Sequence, residues 1–192
     1  MGAKRFTMWS MRSALIVAAV TLWCPVTLAA PDASWLLAYT GKSTNQLFWD
    51  KRTRRLIEDS LPKDLAQEVR PALGGPPDPV FATAGRYVSA SACVPHWAYQ
   101  KGFLWVDTRT GTALGAYAEG HDTSHGATMM GNWRYTLTLG SVELTADDIP
   151  REASQALRAW ISDHGLELDS VEFMSRDGTT RQLDASAYAP RE

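Results

Sequence analysis

The chain has 192 residues, of which 45% are hydrophobic and 21% charged, and its 19 basic and 21 acidic side chains give a net charge of −2. This length and apolar fraction suit one globular domain with a substantial core, and they exclude a chain that is disordered throughout. Basic residues do not outnumber acidic ones, and a nucleic-acid partner requires a basic surface, so we predict no nucleic-acid partner.

The N-terminal residues have the pattern of a secretory signal peptide. A basic start is followed by an apolar run over 14–23, which is shorter than the roughly 20 residues of a membrane helix. Small residues come next, and we expect cleavage after Ala29 or Ala30. The prediction is a signal peptide over 1–30 and a single domain over 31–192, periplasmic or secreted, with no membrane span in the mature protein.

Removal of the signal peptide changes both the charge and the cysteine content. It takes away three basic residues and no acidic one, which moves the net charge from −2 to about −5. An acidic exported protein suits a cationic partner. Cys24 leaves with the signal peptide, so Cys93 remains unpaired, which is unusual in an oxidising compartment. We expect Cys93 to be buried, metal-bound, reactive or, if exposed, able to link two chains into a homodimer.

Helical signals fill the first part of the mature chain. The pattern predicts a helical turn over 34–39 and then a helix over about 44–59 with one apolar face. A further helical segment begins at Ser60 and is limited by Pro71. The Gly-Gly-Pro-Pro run over 74–77 ends this helical part.

Beyond that run, the periodicity changes to the alternation that is typical of strands. Turn signals at 84–85 and 108–111 predict two hairpins, each with apolar strands on both sides. A further strand is predicted over 133–139, where aromatic and aliphatic residues alternate with polar ones.

The C-terminal part begins with another helix and ends with another hairpin. The helix has Asp147 or Asp148 as its predicted cap, Pro150 in its first turn and Gly165 after its end. The hairpin is predicted around 177–178. Strands and helices that do not alternate regularly predict an α+β fold, with an antiparallel sheet flanked by helices.

One stretch combines a thiol, an imidazole, a proline and an aromatic ring. Cys93, Val94, Pro95 and His96 form a predicted turn between two strands, in which Pro95 fixes one backbone angle. Trp97 follows directly, and rigid aromatic residues dominate binding hot spots. These five residues form a candidate binding loop. The alternative is an ordinary tight turn whose histidine caps a backbone group.

This loop and the strands around it resemble the inhibitor of vertebrate lysozyme family over roughly 56–117. In that family, a Cys-x-Pro-His-x-Cys loop projects from an antiparallel sheet, and its histidine enters the active-site cleft of a c-type lysozyme. The resemblance implies that His96 is the inhibitory residue and Cys93 the first loop cysteine, in a protein without enzymatic activity or cofactor. Ala98 stands where the second loop cysteine is expected, so the family's small disulfide ring cannot form.

The implied function is inhibition of a peptidoglycan-cleaving glycosidase, which is a lysozyme or another peptidoglycan hydrolase. A glycosidase cleft holds a protonated and an ionised carboxyl group about 5–9.5 Å apart. A neutral imidazole offers one donor and one acceptor, and can therefore bridge such a pair. A related alternative is an immunity protein against an interbacterial wall-degrading toxin.

Two further alternatives come from the residues alone. Cys93 and His96, together with His121 and His125, have spacings that are compatible with zinc. The tryptophans of the mature chain also allow a periplasmic peptidoglycan-binding module. A catalytic pair of Cys93 and His96 is less favoured, because residues three apart in a proline turn rarely align as nucleophile and base.

Overall fold

The computed structural model of the protein describes residues 32–123 and 132–189. The predicted signal peptide lies outside the described residues, so cleavage and export stay predictions. No helix within the described ranges is long and apolar enough to cross a membrane.

A seven-stranded sheet with helices on both faces forms the described part of the chain. Its helices are α1 (Thr44–Phe48), α2 (Lys51–Ser60), α3 (Lys63–Ala72) and α4 (Arg151–Asp163), with 3₁₀-helices at Ser34–Tyr39 and Ala185–Ala187. Its strands are β1 (Phe81–Thr83), β2 (Tyr87–Val94), β3 (Trp97–Asp107), β4 (Ala113–Asp122), β5 (Trp133–Gly140), β6 (Leu168–Met174) and β7 (Thr180–Leu183). The strands lie side by side in chain order, from β1 to β7.

The predicted α+β class is confirmed. The hairpins expected at 84–85, 108–111 and 177–178 and the strand over 133–139 are all present. Neighbouring strands are antiparallel except for β5 and β6, which run parallel. A parallel pair needs a long crossover connection, and α4 supplies it here.

Each face of the sheet has its own hydrophobic core. On one face, α2 and α3 pack against the middle strands through buried residues such as Leu61 and Val69. On the other face, α4 packs over Phe103 and neighbouring apolar residues. α3 comes close to β3 because Gly102 has no side chain: a Cβ there would lie 2.8 Å from the Cβ of Ala72.

The helix predicted over 44–59 is wrong in one respect, because it is broken at Trp49 and Asp50 into α1 and α2. The Asp50 carboxylate accepts a hydrogen bond from the backbone N–H of Arg52 at 2.9 Å and so caps α2. A helix cap of this kind favours an extended backbone at the capping residue. Asp50 has that extended backbone, so α1 cannot continue through it.

The predicted cap of α4 is also wrong. Pro150 occupies the N-cap position and provides no side-chain hydrogen bond. The Asp147 carboxylate instead pairs with Arg181 of β7 at 2.8 Å, and Asp148 accepts a hydrogen bond from the Thr145 hydroxyl at 2.8 Å. Both aspartates therefore order the loop that leads into the helix.

Candidate binding site at the β2–β3 hairpin

The predicted loop is the tip of the hairpin formed by β2 and β3. Val94 pairs with Trp97, which leaves Pro95 and His96 as the two residues of the turn. His96 has a φ of 68°, and a proline followed by a residue with positive φ is the pattern of a type II turn. A non-glycine residue in this left-handed region costs about 1–2 kcal/mol, so the turn holds His96 in a strained conformation.

Strand pairing becomes irregular directly beside the turn. Cys93 pairs with Lys101 in the register of the rest of the hairpin, whereas the next residue, Val94, pairs with Trp97. Residues 98–100 of β3 therefore form a bulge. Two-residue hairpins prefer mirror-image turns because other turns splay the strands, and a bulge accommodates such a mismatch by bending and twisting its strand.

The side chains at the tip point into solvent. Pro95 and His96 are exposed, and Trp97 is 53% exposed, although it is a large apolar residue. Within the described ranges, the His96 imidazole has no hydrogen-bond or ion-pair partner. The alternative in which this histidine caps a backbone group is therefore not what the structure shows.

Three aromatic residues, Trp97, Tyr99 and Trp133, form a row that leads from the tip back to β5. The rings of Trp97 and Tyr99 meet edge to face with centroids 5.4 Å apart. Tyr99 stacks on Trp133 at 4.9 Å with an interplanar angle of 6°. Aromatic pairs of this kind contribute about 0.5–1.5 kcal/mol beyond their burial. This aromatic row holds the bulged part of β3 against the sheet.

The segment between α3 and β1 supports the hairpin from the β2 side. A Cβ at Gly75 would overlap the carbonyl oxygen of Cys93 and lie 2.8 Å from the nitrogen of Pro95. Two residues further on, Pro77 forms an isolated bridge with Ala92. The sequence indicated only that these residues end a helix, because nothing in their spacing shows which strand they pack against.

Cys93 is buried, with 9% of its surface exposed, and its thiol is free. Its place in the predicted loop is therefore that of a supporting residue inside the sheet, whereas Pro95, His96 and Trp97 are accessible. A disulfide-linked homodimer would need an exposed thiol, and the Cys93 thiol is buried. Ala98, at the position of the family's second loop cysteine, is exposed.

The predicted zinc ligands do not form a described cluster. The ranges 32–123 and 132–189 contain no group of three or more His, Cys, Asp or Glu residues placed to hold a metal ion. The Nε2 atom of His121 lies 3.0 Å from a carboxylate oxygen of Asp169. His125, the fourth proposed ligand, lies outside the described residues.

Comparisons of the chain with protein-family models, curated proteins and solved structures return no match. The α+β class is therefore established by the structure itself. The function is therefore argued from the residues of this chain, and the exposed hairpin tip with His96 and Trp97 is the candidate site.

Proposed function

We propose that the protein is an exported, non-enzymatic inhibitor of a peptidoglycan-cleaving glycosidase, and that its β2–β3 hairpin tip enters the active-site cleft of that enzyme. The observation that carries this proposal is His96. Its backbone has a strained positive φ, and its exposed imidazole has no partner in the described part of the chain. Strained residues cluster at ligand clamps and active sites, where the surrounding structure holds them in place.

The shape and chemistry of the tip suit a glycosidase cleft. A turn of only two residues is a narrow projection, and His96 lies at its end, flanked by the exposed ring of Trp97. The imidazole has one donor and one acceptor for a pair of catalytic carboxyl groups, of which one is protonated and one ionised. The acidic charge of the mature chain favours encounter with a cationic enzyme.

The tip is held in place although it has no disulfide ring. Pro95 fixes one backbone angle, the aromatic row braces β3, and the backbone of Gly75 packs against the end of β2. A loop that is already ordered loses less conformational entropy when it binds. These contacts support the proposal that the hairpin acts as a rigid wedge without the second cysteine.

An inhibition panel tests the proposal. The protein is added to a c-type lysozyme, a wall-degrading bacterial toxin and an endogenous lytic enzyme, and clearing of a cell-wall suspension is followed. We expect competitive inhibition of at least one of these enzymes, and the identity of that enzyme separates lysozyme defence from immunity. His96→Asn, which tolerates positive φ, should weaken inhibition at least tenfold, a loss of about 1.4 kcal/mol.

Two outcomes contradict the proposal. One is the absence of inhibition across the panel, and the other is equal inhibition by the wild type and His96→Asn. Sedimentation with isolated wall sacculi is the matched control. Binding to sacculi without binding to any of the enzymes would favour the peptidoglycan-binding alternative.

A further inference from the structure

A cleft of about 430 Å³ lies between the β1–β2 edge of the sheet and the C-terminal half of α4. We call it the α4 cleft. Its volume is within the range of about 300–1,000 Å³ that is usual for small-ligand sites. The rings of Phe103 and Trp160, with centroids 5.2 Å apart, form part of its wall. Phe81, which is 58% exposed, lies at its rim.

Three polar side chains from distant parts of the chain meet in the α4 cleft. One carboxylate oxygen of Asp78 accepts a hydrogen bond from the Ser91 hydroxyl at 2.5 Å. The same oxygen lies 3.0 Å from Nε2 of His164, at the end of α4. The Asp78 backbone is fixed as well, because its N–H donates to the carbonyl of Ser91 at 3.0 Å. The carboxylate is therefore positioned before any ligand arrives.

Serine, histidine and aspartate also form catalytic triads, but the order of contacts here is different. In a triad, the histidine touches the serine hydroxyl and removes its proton, and the aspartate orients the histidine. Here the Ser91 hydroxyl and the His164 ring both meet Asp78, which lies between them. This order gives Ser91 no neighbouring imidazole base, so the cluster is suited to binding a ligand.

The acidic side chains of the α4 cleft favour a positively charged ligand. Asp78 and Asp163 line the cleft, and none of the described lining residues is lysine or arginine. The second carboxylate oxygen of Asp78 has no donor among residues 32–123 and 132–189. The face of an accessible aromatic ring attracts cations, and the exposed ring of Phe81 lines this cleft. The Asp78 carboxylate thus has one oxygen engaged by Ser91 and His164 and one oxygen without a donor, in a cleft whose described lining has no lysine or arginine. This is an environment that suits an ammonium or guanidinium group.

We propose that the α4 cleft binds a small organic cation, a primary ammonium or guanidinium group on an apolar body, with Asp78 as its counterion. The cation lies beside Asp78, and its apolar body contacts the Phe81 and Trp160 side of the cleft. The site uses none of the residues of the hairpin tip. It therefore goes beyond the inhibitory function and does not depend on it.

Titration with matched ligands tests the chemical class. Phenethylamine and agmatine are the cationic probes, and 2-phenylethanol and 3-phenylpropionate are neutral and anionic counterparts of phenethylamine. We expect saturable 1:1 binding of the two cations by calorimetry. The neutral and anionic ligands should bind at least about tenfold more weakly, because a hydrogen bond to a charged group is worth more than that factor.

Two variants locate the site. Asp78→Asn keeps the shape and removes the charge, and should weaken phenethylamine binding at least about tenfold. Ala159→Phe, at an exposed position of α4 that lines the cleft, should abolish binding without touching the polar cluster. It decides the question if Asp78→Asn does not fold. Asp59→Asn, an exposed carboxylate on α2, is the control and should bind like the wild type.

The proposal is overturned if the cations bind no more tightly than 2-phenylethanol, or if no saturation is reached at about 10 mM ligand. It is equally overturned if folded Asp78→Asn or Ala159→Phe binds phenethylamine as the wild type does. His96→Asn is expected to bind phenethylamine unchanged, so failure of the inhibitor proposal and failure of the cation site are distinguishable.

Discussion

Strand β2 has a tight turn at each end, and the two turns are stabilised in different ways. The turn before β2 contains Ala84 and Gly85, with φ values of 53° and 59°. Its next residue, Arg86, donates from Nε to the Asp107 carboxylate at 2.7 Å. The Thr108 hydroxyl donates to the carbonyl of Arg86, also at 2.7 Å. The polar groups beside this turn are thus bonded within the chain.

The turn after β2 consists of Pro95 and His96. His96 also has a positive φ, of 68°, yet its imidazole has no partner within the described residues. Backbone strain alone therefore does not mark a binding site, because Ala84 is strained and has no polar side chain. Strain combined with an exposed, unpartnered polar side chain favours a binding site, because the fold gains nothing from keeping that side chain there.

The largest effect is expected for Gly75→Ala, which affects only the His96 end of β2. The added Cβ overlaps the Cys93 carbonyl and presses on Pro95. Because backbone atoms must move, the free energy of unfolding should fall by about 3 kcal/mol, measured by chemical denaturation. Gly74→Ala is the control, since its Cβ would meet neighbours only at 3.3 Å or more. An equal fall in the free energy of unfolding for Gly75→Ala and Gly74→Ala would contradict the close packing of Gly75 against Cys93 and Pro95.

The next largest effect is expected at the opposite end, for Asp107→Asn. The hydrogen bond from Arg86 holds the pKa of the buried Asp107 carboxyl below its usual value. Loss of this charge-assisted contact should lower the free energy of unfolding by about 2 kcal/mol near pH 7. The inhibitory activity should be unchanged, because the tip is at the other end of the strand.

The same pair predicts a pH dependence. The folded pKa of Asp107 is depressed, so its stabilisation is present above the unfolded value near 3.9 and is lost as the pH falls through the folded pKa. The difference in unfolding free energy between the wild type and Asp107→Asn should therefore shrink below about pH 4. A difference that stays constant from neutral to strongly acidic pH would contradict the pairing.

A smaller and opposite effect is expected when glycine replaces the strained residue of either turn. Ala84→Gly and His96→Gly each relieve a positive φ, and each should raise the free energy of unfolding by up to about 1 kcal/mol. Thermal denaturation measures the change. Destabilisation by His96→Gly would show that the imidazole contributes to the fold, which would contradict its assignment as an outward-facing group.

Much of the fold could be predicted from short-range patterns. The hairpins follow from turn residues between alternating strands, and α4 follows from Pro150 near its start and Gly165 after its end. The break between α1 and α2 was missed, although Asp50 just before Lys51 is a recognisable cap. The parallel pairing of β5 with β6 cannot be predicted from the sequence of either strand, because it depends on the path of α4 between them.

The candidate site was only partly predictable. The Pro95-His96 turn and its aromatic neighbours are contiguous, so the sequence places them together. The positive φ of His96 was not predictable, because such turns usually carry glycine or asparagine at that position. The α4 cleft was missed entirely, since Asp78 and His164 are 86 residues apart and meet only when α4 packs on the sheet.

The inhibitory role of His96 is tested by the inhibition constants of three proteins against the enzyme found in the panel: the wild type, Ala84→Gly and His96→Gly. Both variants relieve strain at an end of β2, but only one removes the imidazole. We predict that Ala84→Gly inhibits like the wild type and that His96→Gly has an inhibition constant at least about tenfold higher, despite its more stable fold. Inhibition by His96→Gly as strong as that by the wild type would contradict the role of His96.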